Sequence, residues 1–170
     1  GAFIQKATAQ LMRDLGSMMS PQSAFILNLG LESLHVRMER HCENAQAVAE
    51  YLQKHPKITW VRYSGLPGDA YHKAAKKYLP KGSCGVVSFG VKGGRDAAET
   101  FMKHLKLGTI ATHVADARTC CLHPASSTHR QMNDAELDAA GVGADLVRLS
   151  VGLESKEDLI ADLEQALAEA

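Results

Sequence analysis

Aromatic residues, cysteine and net charge are all scarce in this sequence. Aromatic side chains make up 5% of its 170 residues, there are four cysteines, and 19 lysines and arginines balance 19 aspartates and glutamates. A chain without net charge has no field that attracts nucleic acid or an anionic membrane, so neither is expected as a partner. No apolar run approaches the roughly 20 residues that cross a bilayer, which predicts a protein outside the membrane.

The sequence does contain enough apolar residues for one sizeable core. Hydrophobic residues make up 45% of the chain, and its length suits one domain or slightly more. The cysteines are few and include the adjacent pair Cys120 and Cys121, so we expect reduced thiols and a cytoplasmic location. The chain starts at Gly1 without methionine, inside an apolar pattern of helical spacing, which indicates a piece of a longer protein.

The first 55 residues read as helical almost throughout. An opening helix is expected to stop at Gly16, and a second to begin at Ser20, which can cap the free amides ahead of Pro21. Apolar residues then recur at spacings of three and four as far as His55, with a kink expected near Gly30. Residues 1–55 are therefore predicted to form a connecting arm.

Residues 56–170 alternate short strands with helices. β-branched and apolar runs bounded by glycine and proline predict strands, and Asn133 and Ser155 each precede an acidic residue by three positions, which is typical of a helix start. The pattern predicts an α/β (α+β) domain with a small, mainly antiparallel or mixed sheet and helices packed on one side. The expected strands are Ile58–Tyr63, Cys84–Val91, short segments in Thr109–Val114 and Thr119–Leu122, and Leu146–Val151.

Arg148 is the most prominent candidate for ligand binding. The last strand alternates, so that Val147 and Leu149 point to one face and Arg148 to the other. A guanidinium held on a strand presents a planar fork of donors that matches a carboxylate. From spacing alone, an internal salt bridge or a side chain that simply reaches solvent is the favoured explanation of the same position.

The segment 112–129 concentrates polar groups of several chemistries. Its cysteines and histidines suggest zinc, but there is no Cys-x-x-Cys pair, and adjacent cysteines in a strand face opposite ways, so no metal is expected and buried thiols are favoured. A nucleophilic triad of Ser126, His129 and Asp134 lacks a Gly-x-Ser-x-Gly turn. Gly93–Arg95 matches no phosphate-binding motif and is interpreted as a turn.

Several strings together resemble the C-terminal part of the Cys/Met-metabolism pyridoxal-phosphate enzymes, and the resemblance extends over the whole chain. Within that family they are most similar to the O-acetylhomoserine sulfhydrylase branch. The strings are Arg13–Gly16, Ser20–Pro21, Arg37–Ala45, Tyr63–Pro67, Phe89–Gly94, Val114–Cys120, His123–Ser126 and Leu146–Gly152.

The resemblance implies the small C-terminal domain of a fold-type I enzyme, preceded by its connecting helices. The parent enzyme would hold pyridoxal phosphate and convert O-acetylhomoserine and sulfide to homocysteine and acetate, in methionine biosynthesis. It is expected to be a homotetramer. No Ser/Ala-Thr-Lys string occurs here, so the cofactor lysine is expected upstream, and this chain alone is expected to be inactive and to bind no cofactor.

The resemblance also implies roles for three residues. Arg148 matches the arginine that grips the substrate α-carboxylate. His113 and Val114 match the stretch beside that carboxylate, where other members carry Ser or Asn, an apolar residue and Gly. His113 and Ala115 depart from that pattern, so the expected help at this point is a backbone contact at Val114.

Other functions remain open from the residues alone. The family alternatives are a cystathionine synthase or lyase and a methionine lyase. From other classes come a non-catalytic ligand-binding or oligomerisation module, and a zinc-dependent domain around Cys120 and His123. Stoichiometric zinc in the purified protein would favour the last of these.

Overall fold

The computed structural model describes residues 1–170 and divides them into two compact units. The first unit is Gly1–His35 and the second is Val36–Ala170. None of the helices combines the length and the apolar character that a membrane span requires. The second unit contains the whole sheet and the candidate site.

Eight α-helices and five strands make up the two units. The helices are α1 (Ala2–Lys6), α2 (Arg13–Leu15), α3 (Pro21–Glu32), α4 (Leu34–Lys54), α5 (His72–Tyr78), α6 (Gly94–His104), α7 (Asp134–Ala139) and α8 (Lys156–Glu169). The strands are β1 (Ile58–Arg62), β2 (Val86–Val91), β3 (Thr109–Ile110), β4 (Cys120–Leu122) and β5 (Leu146–Ser150). A π-helical stretch, Ala7–Met12, separates α1 from α2, and a 3₁₀ turn, Pro124–Ser126, follows β4.

The helix boundaries of the first unit follow local signals in the sequence. Gly16 ends α2 in the left-handed conformation, with φ at 67°, which glycine adopts without a Cβ clash. The Ser20 hydroxyl accepts a hydrogen bond from the Ser23 amide at 3.1 Å, and Pro21 occupies the first turn of α3. Both of these boundaries agree with the prediction.

Helix α4 belongs mainly to the second unit. The long helical span breaks at Ser33, three residues after the glycine expected to kink it. The units divide at residue 35, whereas the sequence predicts a connecting arm as far as residue 55. The difference arises because one face of α4 is buried with the sheet. That face consists of His41, Asn44, Ala45, Val48, Ala49 and Leu52.

The five strands form one sheet in the order β1-β2-β5-β4-β3. Every pair is antiparallel except β3 with β4, which is parallel. The predicted mixed α/β sheet is confirmed. In β3, however, only Thr109 and Ile110 pair as a strand, and the chain beyond Ile110 leaves the sheet as a loop.

One face of the sheet is covered by α4, α6 and α8. Val87, Phe89, Val147 and Leu149 point to this face and are completely or almost completely buried. Phe89 packs edge-on against Phe101 of α6, with ring centroids 5.8 Å apart. The three helices contribute to the same core cluster. Because strand side chains alternate, the opposite face carries the residues between these apolar positions, including Arg148.

Two further helix starts use the predicted caps. Asn133 and Glu136 form a reciprocal capping box at α7, in which each side chain accepts from the other residue's amide. At α8, the Ser155 hydroxyl accepts from the Asp158 amide at 3.4 Å. These bonds satisfy amides that the first helical turn leaves without partners.

The carboxyl end of α8 is bound by a lysine distant in sequence. The Lys57 ammonium donates to the carbonyl oxygens of Leu167, Ala168 and Ala170, each at 2.8 Å. These oxygens lie at the end of the helix, where they carry the negative end of its dipole, and the Leu167 oxygen also accepts from the Ala170 amide at 3.2 Å. We expect Lys57→Met to lower the free energy of unfolding by about 1–2 kcal/mol, measured by urea denaturation. Lys81→Met, at an exposed position outside the helices, serves as the control, and an equal effect of the two substitutions would contradict this role.

Candidate functional site

Arg148 lies in the middle of the sheet, on the face opposite the core. It pairs with Ser88 of β2 on one side and Leu122 of β4 on the other. Its chain neighbours Val147 and Leu149 are buried on the core side, as the alternation predicts. The backbone of Arg148 is therefore held by hydrogen-bonded strands on both sides, which leaves little freedom in where its side chain begins.

The Arg148 guanidinium has more N–H donors than the structure pairs. One terminal nitrogen donates to the carbonyl oxygen of Thr112 at 2.9 Å. The Nε atom is buried and has no hydrogen-bond partner. None of the ion pairs in the structure involves Arg148, so the internal salt bridge that the sequence left open is not present. A buried donor without a partner is uncommon in a folded protein, and a bound acceptor would satisfy it.

The loop that follows β3 is tied to β5 at two points. Thr112 is held by Arg148, and the amide of Ala115 donates to the Ser150 hydroxyl oxygen at 3.0 Å. Ala115 has φ at 62°, the one left-handed residue in the chain that is not glycine. Val114, between the two ties, is 54% exposed. Backbone groups of Thr112 and Ala115 thus join the loop to β5 on both sides of His113 and Val114.

His113 lies in this loop, and the hydrogen bond of Arg148 goes to Thr112 and not to the His113 side chain. Its side chain is exposed, and its charge is one of the lesser causes that lower the pKa of Asp116. The main cause is the hydrogen bond that the Arg118 amide donates to the Asp116 carboxylate at 2.9 Å. A carboxylate with a lowered pKa stays ionised at neutral pH, so His113 faces a negative charge on its own loop.

Ser150 is the site residue that sequence reasoning missed. It lies two positions after Arg148 on β5, so both side chains point to the same face, and it is buried. The available signal was this alternation, which the sequence shows for Arg148 and Ser150 alike. Its partner, 35 positions earlier in the chain, could not be identified from spacing.

The cysteine and histidine residues of segment 112–129 do not come together as a metal site. No group of three or more His, Cys, Asp or Glu side chains in the chain is arranged to hold a metal ion. Burial raises the pKa of Cys120 and of Cys121, which keeps both thiols protonated. His123 uses both ring nitrogens, one with the Ser126 hydroxyl and one with the Ala144 carbonyl, each at 2.8 Å.

The other sequence candidates have structural partners. Ser126 bonds to His123, whereas His129 lies against Thr128 and Asp134 pairs with Arg95, so the three members of the imagined triad are not assembled. Of the Gly93–Arg95 segment, which the sequence predicts to be a turn, only Gly93, at φ 109°, lies in the turn, and Gly94 and Arg95 are the first two residues of α6.

The left-handed conformation of Ala115 predicts a stabilising substitution. An L-residue in this region is strained by roughly 1–2 kcal/mol, which glycine avoids. Glycine also adds unfolded-state entropy, which offsets about 0.4–1 kcal/mol. We therefore expect Ala115→Gly to raise the free energy of unfolding by about 0.5–1 kcal/mol, measured by urea denaturation. Ala117→Gly, in the same loop without a positive φ, is the control and should be destabilising; a loss of stability in both variants would contradict the strain.

Comparison with known proteins gives consistent matches along the chain. The profile of a family described as Cys/Met metabolism PLP-dependent enzyme matches residues 2–168. The chain is 47% identical over 166 residues to homocysteine synthase of Schizosaccharomyces pombe, a match that covers 98% of this chain and 39% of that protein. It is 48% identical over 167 residues to O-acetyl-L-homoserine sulfhydrylase of Leptospira meyeri, covering 98% of this chain and 38% of that protein.

A solved structure extends the likeness to the fold. The crystal structure of an O-acetylhomoserine (thiol)-lyase from Campylobacter jejuni, which carries N'-pyridoxyl-lysine-5'-monophosphate, superposes with a TM-score of 0.87 at 40% identity. That match covers 96% of this chain and 39% of the solved chain. The chain thus spans about two fifths of the length of the proteins that it matches.

Proposed function

The chain belongs to the family of Cys/Met metabolism PLP-dependent enzymes, and we propose on that basis that it is the C-terminal, carboxylate-binding part of a longer O-acetylhomoserine sulfhydrylase. That enzyme converts O-acetylhomoserine and sulfide to homocysteine and acetate. In this proposal Arg148 binds the substrate α-carboxylate, and the loop containing His113 and Val114 lies beside it.

The observation that carries the proposal is the buried Nε of Arg148, which has no partner. A carboxylate has two oxygens that match two parallel N–H donors of a guanidinium. The guanidinium carries five N–H donors, and the structure pairs only one of them, on Nη2 with the Thr112 carbonyl, so donors remain for a carboxylate. The core packing beneath β5 and the strands on each side hold the arginine in place for this contact.

The proposed site is one wall of a larger site. The clefts beside Cys42 and beside Trp60 do not include Arg148, which lies on the face of the sheet that no helix of the core covers. A small amino acid bound at Arg148 alone would remain open to water. We propose that the missing wall comes from the rest of the longer enzyme.

The residues of this chain do not fit the covalent attachment of pyridoxal phosphate. A Schiff-base lysine is activated in a shielded pocket. Every lysine here is exposed except Lys57, whose ammonium is bound to the end of α8. The cofactor supplies an electron sink for chemistry at the bound amino acid, and we place its lysine outside this chain. The contribution of this chain is to bind and orient the substrate.

The assembly and location of the longer enzyme are part of the proposal. Large apolar side chains remain exposed in the first unit, and such surfaces are usually covered by other protein. They include Phe3, Ile4, Leu15, Met18, Phe25 and Leu31, which are between 61% and 88% exposed. We propose that the rest of a homotetrameric enzyme covers them. The four free thiols support a cytoplasmic location.

The test is an assay of the full-length protein that contains this chain, purified with pyridoxal phosphate. We expect homocysteine to form from O-acetylhomoserine only when sulfide is present. Release of 2-oxobutanoate from methionine, or cleavage of cystathionine, at a higher kcat/KM would instead assign the protein to the lyases.

The isolated 170-residue chain serves as the second part of the test. We expect it to form no homocysteine and, after addition of pyridoxal phosphate and borohydride, to show no single labelled lysine. Stoichiometric labelling of one lysine would overturn the placement of the cofactor site outside this chain.

A further inference from the structure

We propose that Ser150 is a positioning residue, which holds the loop Thr112–Ala115 so that Arg148 meets the substrate carboxylate in one orientation. The inference rests on the proposed function and adds to it a residue with no direct contact to the substrate. The relevant contacts are the two ties between this loop and β5, one from Arg148 to Thr112 and one from Ala115 to Ser150.

The two hydrogen bonds join residues that are similarly spaced on the strand and in the loop. Arg148 and Ser150 lie on the same face of β5, two residues and so about 6.6 Å apart. Their loop partners Thr112 and Ala115 are three residues apart and bracket His113 and Val114. The loop is therefore attached to the strand at both ends of the stretch that lies beside Arg148, and neither end can shift without breaking a hydrogen bond.

Ala115 has a left-handed backbone conformation, which its hydrogen bond to β5 helps to maintain. Its φ of 62° is unfavourable for an alanine, and such a residue persists only where its surroundings hold it. The neighbour that holds the Ala115 amide is the Ser150 hydroxyl, which is buried and thus screened from competition by water. Without that acceptor, the amide has no partner in the structure and the loop can relax from the left-handed conformation.

Relaxation of the loop would affect substrate binding through the orientation of the Arg148 guanidinium. Thr112 supplies the one protein acceptor of the Arg148 guanidinium. If the Ala115 end of the loop is released, the Thr112 carbonyl is no longer held in place, and the guanidinium can rotate about its flexible stem. The substrate carboxylate would then bind a guanidinium with several orientations instead of one. This weakens substrate binding without altering the chemical step that follows.

The first measurement needs no enzyme activity. In the 170-residue chain, we expect Ser150→Ala to increase the hydrogen-exchange rate of the Ala115 amide about threefold to tenfold, in line with the loss of one neutral hydrogen bond. Amides at the centre of β5 should exchange as before. An unchanged exchange rate at Ala115 would show that the Ser150 hydroxyl does not hold the loop, whatever reaction the protein catalyses.

The second measurement uses the full-length enzyme. We expect Ser150→Ala to raise KM for O-acetylhomoserine about threefold to tenfold, with kcat within about twofold of the wild type. Ser150→Thr keeps the hydroxyl on a side chain that suits a strand, and it should restore KM. A fall in kcat with KM unchanged would contradict a positioning role, because the loop would then act on the chemical step.

A control separates positioning from loss of stability. Lys57→Met should weaken the fold through the end of α8 without touching the loop, so it should leave KM at the wild-type value. If Lys57→Met raises KM as much as Ser150→Ala, the effect of Ser150 is only structural and the proposal fails. If the wild-type enzyme has no activity towards O-acetylhomoserine, the proposed function fails. The exchange rate at Ala115 then still shows whether Ser150 holds the loop.

Discussion

Replacing Arg148 by methionine in the full-length enzyme is expected to raise KM for O-acetylhomoserine about 100-fold or more. Removal of one partner from a hydrogen-bonded charge pair that is shielded from water costs about 2–5 kcal/mol, and each 1.4 kcal/mol is a factor of ten. Methionine keeps an unbranched apolar stem between Ser88 and Leu122, so the strand pairing on both sides should persist. The measurement is steady-state kinetics with sulfide at saturation.

Arg148→Lys separates the contribution of the planar guanidinium geometry from that of the positive charge. Lysine retains a positive charge but supplies a flexible point donor in place of a planar pair of N–H groups. We expect KM of this variant to lie between those of the wild type and Arg148→Met. If lysine restores the wild-type KM completely, the contact with the carboxylate depends on charge alone and not on the geometry of the guanidinium.

Arg62 provides a matched control on the same face of the sheet. Arg62 pairs with Ser88, which in turn pairs with Arg148, so the two arginines flank one serine. Arg62 is exposed and lies over the Trp60 ring, 5.5 Å from its centroid. We expect Arg62→Met to leave KM unchanged. An unchanged KM in Arg148→Met would remove Arg148 from the substrate site.

Asp162→Ala is expected to lower the free energy of unfolding by about 3–5 kcal/mol, the largest stability effect we predict. Asp162 is 8% exposed, and its carboxylate accepts hydrogen bonds from the amides of Lys106, Leu107 and Gly108, at 2.8, 3.0 and 2.9 Å. A hydrogen bond to a charged group contributes about 1.5–3 kcal/mol, and an amide left without a partner costs about 1–3 kcal/mol. The measurement is urea denaturation of the 170-residue chain.

The three amides belong to the connection between α6 and β3, and Asp162 lies on α8. The carboxylate therefore joins α8 to the turn that begins the short edge strand, and no other side chain accepts from those three amides. Asp162→Asn keeps one carbonyl oxygen as an acceptor, so we expect roughly half the loss of the alanine variant.

Asp158 is the control for the charge on α8. It lies in the exposed first turn, where an acidic residue interacts with the helix dipole. We expect Asp158→Ala to cost no more than about 1 kcal/mol. If Asp162→Ala and Asp158→Ala have equal effects, the three amide bonds contribute little, and the role assigned to the buried carboxylate is wrong.

Local signals made most of the secondary structure predictable. The caps at Ser20, Asn133 and Ser155 act on amides three residues away, and the left-handed Gly16 ends a helix by its own conformation. Such contacts depend on spacings within one helical turn, which the sequence shows directly. The side of β5 that carries Arg148 and Ser150 could be predicted for the same reason, because alternation along a strand is a local property.

The site was only partly predictable. Arg148 could be selected from its position on β5 and from the family resemblance, but its unpartnered Nε could not. The tie from Ser150 to Ala115 joins residues 35 positions apart, and the bonds of Asp162 reach across more than 50. Periodicity carries no information on which distant backbone group a side chain will meet.

By itself the sequence determined which segments are helices and strands, where the capped helices begin, and which family the chain resembles. These properties follow from interactions between residues close in the chain, together with motifs that can be compared directly. Only the tertiary structure decided that the Arg148 guanidinium is free of salt bridges, that Ala115 is strained, and that Ser150 holds it. These properties depend on the order of the strands in the sheet, since β5 brings Arg148 and Ser150 beside a loop that precedes them by more than thirty residues.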